Sequence, residues 1–170
     1  TACKSTPSAD AMAIGPAVDG GAVSIRMADP PVAAITVPVQ GDPPIFFVAG
    51  SRSAHAPMVF FHGACTHGLG YIQAFQFAAA KRGDLLALHG ENDCGHGFRS
   101  YSFRLEETDR RIDRGFLAAG PSVSGDAGAP SSLVAIGYSQ GALLAESLAA
   151  RFPTKYRRLI LLGSPRTVDA

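Results

Sequence analysis

The chain has 170 residues, of which 46% are hydrophobic and 17% are charged, so it is long and apolar enough to bury a core. Its 15 Lys and Arg residues and 14 Asp and Glu residues give a formal net charge of +1, which excludes the strong basic field of a nucleic-acid-binding protein. No apolar run approaches the roughly 20 residues of a membrane-spanning helix. We therefore expect a globular protein whose partner is a small, mostly uncharged molecule.

The N-terminal region, residues 1–21, is interpreted as a flexible tether because it is rich in Ser, Pro, Ala and Gly. It begins Thr1-Ala2-Cys3, and a small residue directly before a cysteine resembles the end of a bacterial lipobox. This pattern predicts an extracytoplasmic protein, either secreted or lipid-anchored to a bacterial envelope through Cys3. The alternative is a cysteine in an unstructured terminus. We assign residues 22–170 to one domain.

Short segments rich in Val, Ile and Phe follow the tether, separated by Asp-Pro and Gly-Asp-Pro-Pro turn signals. Residues 22–27, 33–39 and 44–48 are predicted to be strands of an opening antiparallel meander. Residues 57–61 form an almost unbroken apolar run, which is typical of a strand covered on both faces. We expect the sheet to become parallel at this strand.

A helix is predicted over residues 70–82, because Tyr71 and Phe75 recur at helical spacing and Gly83 stands where a C-cap glycine is expected. Residues 84–88 are apolar and predict a second buried strand. The polar, glycine-rich residues 89–97 then predict a loop.

A second helix is predicted over residues 105–119. Its charges are spaced to pair four residues apart, with Glu106 over Arg110 and Glu107 over Arg111, as on an exposed helix face. This pattern indicates a surface helix packed on the sheet.

The remaining segments continue the alternation of strand and helix. Residues 121–130 predict a loop, 133–136 a buried strand, 140–152 a helix that stops before Pro153, and 159–162 a further strand. This order predicts an α/β fold with a doubly wound, mainly parallel sheet.

The strongest motif is Gly137-Tyr138-Ser139-Gln140-Gly141, set between a predicted buried strand and a predicted helix. A serine hydroxyl becomes an effective nucleophile when a sharp strand-to-helix turn holds it exposed beside a base. Glycines two positions before and after the serine permit that turn. We therefore predict that Ser139 is a nucleophile, the alternative being an ordinary serine in a turn.

Ester hydrolysis passes through a tetrahedral oxyanion, which two backbone N–H groups can stabilise. The residue after the nucleophile, Gln140, supplies one predicted donor at the positive end of its helix. The N–H of Ala64, in the turn that follows the strand at residues 57–61, is the second. The alternative is that His62-Gly63 only tightens this loop.

These motifs, with Leu162-Gly163-Ser164-Pro165 after the last predicted strand, resemble the carboxylesterase and lysophospholipase branch of the α/β-hydrolase superfamily. The resemblance covers residues 44–165. It implies a Ser-His-Asp triad, an acyl-enzyme on Ser139, and no metal or other cofactor, and it does not fix the substrate. We expect a serine hydrolase that cleaves carboxylic esters.

The sequence departs from that family in one respect. The family places its acid and then its histidine after the serine, usually beyond the next two strands, whereas here every histidine precedes Ser139: His55, His62, His67, His89 and His96. Asp169 follows the last predicted strand, but on an unsupported tail. Either a missing C-terminal segment or second chain supplies the acid and base, or the chain is a non-catalytic binding or structural module. An apolar edge at residues 159–162 favours the first explanation, because proteins normally cover such edges.

Two further clusters allow more than one interpretation. Cys65 and Cys94 follow neighbouring predicted strands, which favours a disulfide over two buried thiols. Polar residues around the same loops could be considered a metal cluster, although their spacing matches no established zinc pattern: His62, His67, His89, Asp93, Cys94 and His96. Four aromatic residues are either an acyl-binding wall or part of the core: Phe98, Tyr101, Phe103 and Tyr138.

Overall fold

The computed structural model describes residues 32–50, 56–120 and 128–165. Cys3, the rest of the predicted tether, the strand predicted at residues 22–27, His55 and Asp169 lie outside these ranges. The strands are β1 Ile35–Val37, β2 Ile45–Val48, β3 Met58–Phe61, β4 Leu85–Leu88, β5 Asn92–Asp93, β6 Arg99–Ser100, β7 Leu133–Tyr138 and β8 Tyr156–Leu162. The helices are α1 Gly68–Arg82, α2 Leu105–Ala119 and α3 Gln140–Arg151.

Six strands form one sheet in the order β1-β2-β4-β3-β7-β8, while β5 and β6 form a separate two-stranded hairpin. The β1, β2 and β4 strands pair antiparallel, and β4, β3, β7 and β8 pair parallel. This arrangement confirms the α/β fold with a mainly parallel sheet.

The core has two layers, one on each face of the sheet, because neighbouring residues of a strand point to opposite faces. Phe60 packs with the α1 side chains Ile72 and Ala79 on one face. Phe61 packs on the other face, in the layer to which α2 and α3 contribute. The sheet is therefore wound on both faces, as the order of strands and helices predicted.

Several boundaries differ from the sequence prediction. The α1 helix begins at Gly68 because the His67 side chain caps it, accepting a hydrogen bond from the Leu69 N–H. The β7 strand continues to Tyr138, and β8 begins at Tyr156, three positions before the predicted start. The segment predicted as a loop after β4 contains the start of the β5–β6 hairpin.

The predicted charge pairs on α2 are wrong in detail. Glu107 pairs with Arg110 and Arg114, at 2.6 and 2.9 Å between nitrogen and oxygen. Glu106 instead contacts Arg151 on α3 at 2.8 Å. Arg111 is buried and faces the interior, so it is not available to an exposed helix face. Glu106 and Arg111 therefore pair with residues outside α2, and not with the residues four positions away that the spacing predicted.

The β8 strand lies at one edge of the sheet and is exposed along most of its length. Leu159, Ile160, Leu161 and Leu162 are 39%, 46%, 37% and 38% exposed. The sequence prediction of an exposed apolar edge is therefore confirmed. Within the three described ranges, no helix is long and apolar enough to cross a membrane.

Candidate functional site

Ser139 stands between the end of β7 and the start of α3, in a backbone conformation that few residues adopt. Its φ is +52° and its ψ is −117°, which is unfavourable for a residue with a side chain. Its N–H donates to the Leu162 carbonyl at 3.0 Å, and its carbonyl accepts from the Ala142 N–H at 2.9 Å. The turn is thus held by β8 on one side and by α3 on the other.

The two glycines of the motif are sterically required at this turn. A Cβ at Gly137 would lie 2.3 Å from the carbonyl oxygen of Gly141, and a Cβ at Gly141 would lie 2.2 Å from that of Phe61. Such distances are far below van der Waals contact, so no side chain fits at either position. The close approach of Gly141 to β3 brings the turn directly against the segment that follows β3.

That segment is His62-Gly63-Ala64, the loop in which the second oxyanion donor was predicted. A Cβ at Gly63 would lie 3.5 Å from the Ser139 Cβ, so this loop runs beside the serine. Ala64 is exposed, and Gln140 is the first residue of α3. The three predicted site residues therefore lie on adjacent segments at the carboxyl end of the parallel strands.

His62 is fully buried and has a defined hydrogen-bonding role in this loop. Its Nε2 accepts from the Gly90 N–H at 3.1 Å, so Nε2 carries no proton and Nδ1 donates to the Gly63 carbonyl at 2.7 Å. Burial lowers the pKa of His62, in agreement with a neutral ring. The ring therefore ties β3 to the loop after β4 and is not free to act as a base.

His89 and His67 pack beside His62 under the same loops. The ring centroids of His67 and His89 are 4.7 Å apart, and those of His62 and His89 are 5.6 Å apart. Burial, followed by the nearby His67, His62 and Arg99, lowers the pKa of His89 to about 4. His62 and His89 are therefore held neutral near pH 7, which is characteristic of packed core histidines.

No histidine in the described ranges hydrogen-bonds to Ser139. His62 contacts Gly63 and Gly90, and His67 caps α1. His96 is exposed in the β5–β6 turn region. The described residues thus bring a serine and two candidate oxyanion donors together, but they do not provide the serine with a base.

The loops after β3 and β4 are joined covalently and by backbone pairing. Cys65 and Cys94 form a disulfide, which confirms the pairing predicted from their positions. Thr66 and Arg99 form an isolated antiparallel bridge, with N–H to carbonyl distances of 3.2 and 3.0 Å. Ala64 thus directly precedes a cross-linked position, which restricts the movement of its loop.

The four aromatic residues proposed as an acyl-binding wall or as core differ in exposure. Tyr101 is only 3% exposed and belongs to the core. The other three are 45%, 36% and 39% exposed: Phe98, Phe103 and Tyr138. The Tyr138 ring packs against Tyr71, with centroids 5.5 Å apart, beside the serine.

Arg111 has a role that the sequence did not suggest. Its guanidinium lies 3.0 Å from Glu91 and 3.2 Å from Asp42, and it donates to the His89 carbonyl at 2.6 Å. It therefore joins α2, the turn before β2 and the loop after β4. No local signal reveals this role, because its partners are 20 or more positions away.

Metal binding finds no support in the side-chain arrangement. No group of three or more His, Cys, Asp or Glu side chains within the described ranges is placed to hold a metal ion. Cys94 is already bonded to Cys65, so it is not a free ligand.

Grooves flank the sheet in the part of the chain that the structure describes. One of about 780 Å³ lies beside the first turns of α2 and includes Asp42, Glu91 and Phe103. Another, of about 700 Å³, is mainly apolar and lies between α1 and β8. Neither is lined by Ser139, Gln140 or Ala64.

Comparison with solved structures places this architecture among known folds. A thioesterase domain from the curacin biosynthetic pathway is 22% identical with a TM-score of 0.50, over 81% of this chain and 48% of that one. A haloalkane dehalogenase variant from Bradyrhizobium elkanii is 23% identical with a TM-score of 0.51, over 81% and 42%. An N-acyl homoserine lactonase is 17% identical with a TM-score of 0.50, over 79% and 46%.

These likenesses identify the α/β-hydrolase fold, as the sequence resemblance predicted. The chain spans less than half the length of these three structures, so the fold is partial. No protein-family model matches the sequence, and no curated protein matches it. The carboxylesterase and lysophospholipase branch stays a prediction, because the three similar proteins are named for different substrates.

Proposed function

We propose that this chain carries the nucleophile and the oxyanion donors of a serine hydrolase that cleaves carboxylic esters. The observation that carries the proposal is the strained backbone of Ser139, with φ at +52° between a buried strand and a helix. Such strain persists only where the surrounding structure maintains it, and it concentrates at functional sites. A binding module would not require it.

In the proposed reaction, the Ser139 hydroxyl oxygen attacks the ester carbonyl carbon while a histidine takes the hydroxyl proton. The N–H groups of Ala64 and Gln140 donate to the oxyanion that forms. The alcohol then leaves with the proton from the histidine, and an acyl group remains on Ser139. Water attacks this acyl-enzyme in the same way and releases the acid. No cofactor takes part.

The base and its acid partner are proposed to come from a polypeptide segment outside the described residues, either a further C-terminal segment or a second chain. Two features of β8 support this proposal. Its Leu159–Leu162 run is apolar on both faces, which is typical of a strand inside a parallel sheet. The apolar groove between α1 and β8, which includes Phe75, Ile136 and Ile160, leaves room for a helix.

The substrate is proposed to be a small ester with an apolar acyl group. The exposed rings of Phe98, Phe103 and Tyr138 offer apolar surface around the carboxyl edge of the sheet. Thioester, lactone and peptide substrates would use the same chemistry, so the fold does not choose among them.

An extracytoplasmic location, with Cys3 as a lipid anchor, fits the Cys65–Cys94 disulfide, because such bonds persist in oxidising compartments.

The test is labelling with a fluorophosphonate probe, which reacts with activated serines. The purified protein, together with everything that co-purifies with it, is treated with the probe and studied by intact-mass measurement and peptide mapping. We expect one adduct at Ser139, lost in Ser139→Ala and retained in Ser147→Ala, whose hydroxyl bonds to the Leu143 carbonyl within α3.

The partner segment is tested with the same probe. A second polypeptide or extended form carrying Asp and His should be required for labelling, and Ile160→Asp on β8 should abolish both its binding and the adduct. Absence of an adduct in folded protein that contains such a segment would overturn the enzyme proposal. A non-catalytic binding or structural module is the alternative that this outcome would favour.

A further inference from the structure

Tyr101 occupies the point where two parallel strands separate. Phe61 and Leu88 are the last paired residues of β3 and β4. Beyond this pair, the Tyr101 hydroxyl donates to the Leu88 carbonyl at 2.7 Å and accepts from the His62 N–H at 3.1 Å. One side-chain hydroxyl therefore satisfies two backbone groups that the strand ladder leaves without partners.

The backbone of Tyr101 makes a second connection, to the residue after the serine. Its N–H donates to the Gln140 Oε1 at 3.2 Å, and its carbonyl accepts from the Gln140 Nε2 at 3.5 Å. Gln140 is the first residue of α3, so its side chain fastens the start of the helix to Tyr101. The elbow and the loop after β3 are thus held by the same residue.

The Tyr101 ring restricts the loop further. It packs against the His62 ring with centroids 4.7 Å apart, and it meets Phe61 edge-on at 6.1 Å. Burial raises the pKa of the Tyr101 phenol, so the hydroxyl keeps the proton that it donates to Leu88. The contacts of Tyr101 therefore hold both the backbone and the side chain of His62, the residue directly before Gly63 and Ala64.

We propose that Tyr101 is a positioning residue that sets the separation of the two oxyanion donors, the N–H groups of Ala64 and Gln140. The inference rests on the proposed function, because those donors matter only if an oxyanion forms. Donors that are fixed in advance stabilise the oxyanion without reorganisation. Tyr101 acts through His62 on one donor and through the Gln140 side chain on the other, and it does not touch the substrate.

The test compares Tyr101→Phe with Tyr156→Phe. Both variants remove one buried hydroxyl, and the Tyr156 hydroxyl, at the start of β8, donates to Asp109 on α2, away from the carboxyl ends of the strands where the oxyanion loop lies. In the full protein that hydrolyses a model p-nitrophenyl ester, Tyr101→Phe should lower kcat about 10- to 100-fold, a smaller loss than deletion of an oxyanion donor itself. Its KM should change less than about twofold, because the donors act on the transition state.

Tyr156→Phe should lower thermal stability without lowering kcat. Gln140→Ala, which keeps the backbone N–H, should lower kcat in the same direction as Tyr101→Phe. Equal kcat values for Tyr101→Phe, Tyr156→Phe and wild type would overturn the positioning role, since a purely structural hydroxyl predicts that result.

A second measurement keeps this inference separate from the proposed function. In the 170-residue chain, amide hydrogen exchange of His62 and the amide chemical shifts of Ala64 and Gln140 are followed by NMR. Tyr101→Phe should speed His62 exchange at least about 10-fold and shift both donor amides, whereas Tyr156→Phe should leave them as in wild type. Unchanged signals would overturn the positioning role even if Ser139 reacts. Changed signals in this chain, together with no hydrolysis by the full protein that contains the segment carrying Asp and His, would overturn the enzyme proposal alone.

Discussion

The loops that follow β3 and β4 are held by hydrogen bonds to other segments of the chain, whereas β8 leaves apolar side chains exposed on both of its faces. His62 and Tyr101, together with Arg111 from α2, each connect these loops to two or more segments, and a disulfide adds a covalent link. On β8, Ile160 and Leu162 remain 46% and 38% exposed. The comparison teaches that the segments carrying Ser139 and the proposed oxyanion donors are internally supported, while the edge strand beside the proposed base-carrying segment is exposed.

The largest expected effect comes from the glycine that lets the elbow pack against β3. Gly141→Ala places a Cβ 2.2 Å from the Phe61 carbonyl oxygen, so the elbow must move or the strand must shift. We expect a loss of about 4 kcal/mol in the free energy of unfolding. Urea denaturation measures it.

Gly70→Ala is the matched control for that change. Gly70 lies within α1 with nothing within 4 Å of its Cβ position, so alanine there should be neutral or stabilise by up to about 1 kcal/mol. A similar loss in both variants would show that the tight fit at the elbow is not the cause.

Removal of the disulfide should weaken the internally supported region. Cys65→Ser with Cys94→Ser opens a cross-link between residues 29 positions apart. We expect the free energy of unfolding to fall by about 3 kcal/mol, because the unfolded chain gains conformational entropy when the cross-link is removed. Thermal melting with and without reductant measures it, and reductant should lower the wild-type Tm but leave the double variant unchanged. A wild-type Tm that stays the same after complete reduction of the disulfide would contradict the prediction.

Acid should also act on the loop region. His89 titrates near pH 6.5 when unfolded but with a pKa of about 4 when folded. Between these values the unfolded state binds more protons at His89, so the contribution of His89 to the free energy of unfolding falls as pH drops from 6.5 to 4 and is constant above about pH 7. The fall is expected to be about 2 kcal/mol, and His89→Gln should reduce it. Identical curves for His89→Gln and the wild type would refute the assignment.

The smallest expected effect lies on β8. Ile160→Thr keeps a β-branched side chain at an exposed position, so the free energy of unfolding of this chain should change by less than about 0.5 kcal/mol. Leu144→Ala, at a fully buried position of α3, should lose about 2 to 5 kcal/mol in the same denaturation experiment. Comparable losses would mean that β8 is buried within this chain, and the contrast between the two regions would fail.

The sequence predicted most of the sheet and the elbow because both depend on local patterns. Continuous apolar runs revealed β3, β4 and β7, and the bounds of α2 were predicted without error. The spacing of Gly137, Ser139 and Gly141 predicted a sharp turn. In the structure, the backbone at this turn leaves no space for a Cβ atom at either glycine.

The contacts that support the site could not be predicted in the same way. Tyr101 hydrogen-bonds to His62, which lies 39 positions earlier in the sequence, and to Gln140, which lies 39 positions later. No periodic pattern in the sequence predicts contacts over such distances. The charged residues of α2 were misassigned for a related reason. Glu106 prefers an arginine 45 positions away on α3, because helix packing brings that side chain closer than the local partner.

The separations along the chain also have a consequence for the order of assembly. The disulfide, the Thr66–Arg99 bridge and the His62–Gly90 bond join residues 28 to 33 positions apart, and all lie before Ser139 in the sequence. Short loops close at a lower entropic cost than long ones. A ribosome therefore synthesises every residue of these three links before it reaches the elbow, so the segments that flank Ser139 in the fold are available to pair before the serine is made.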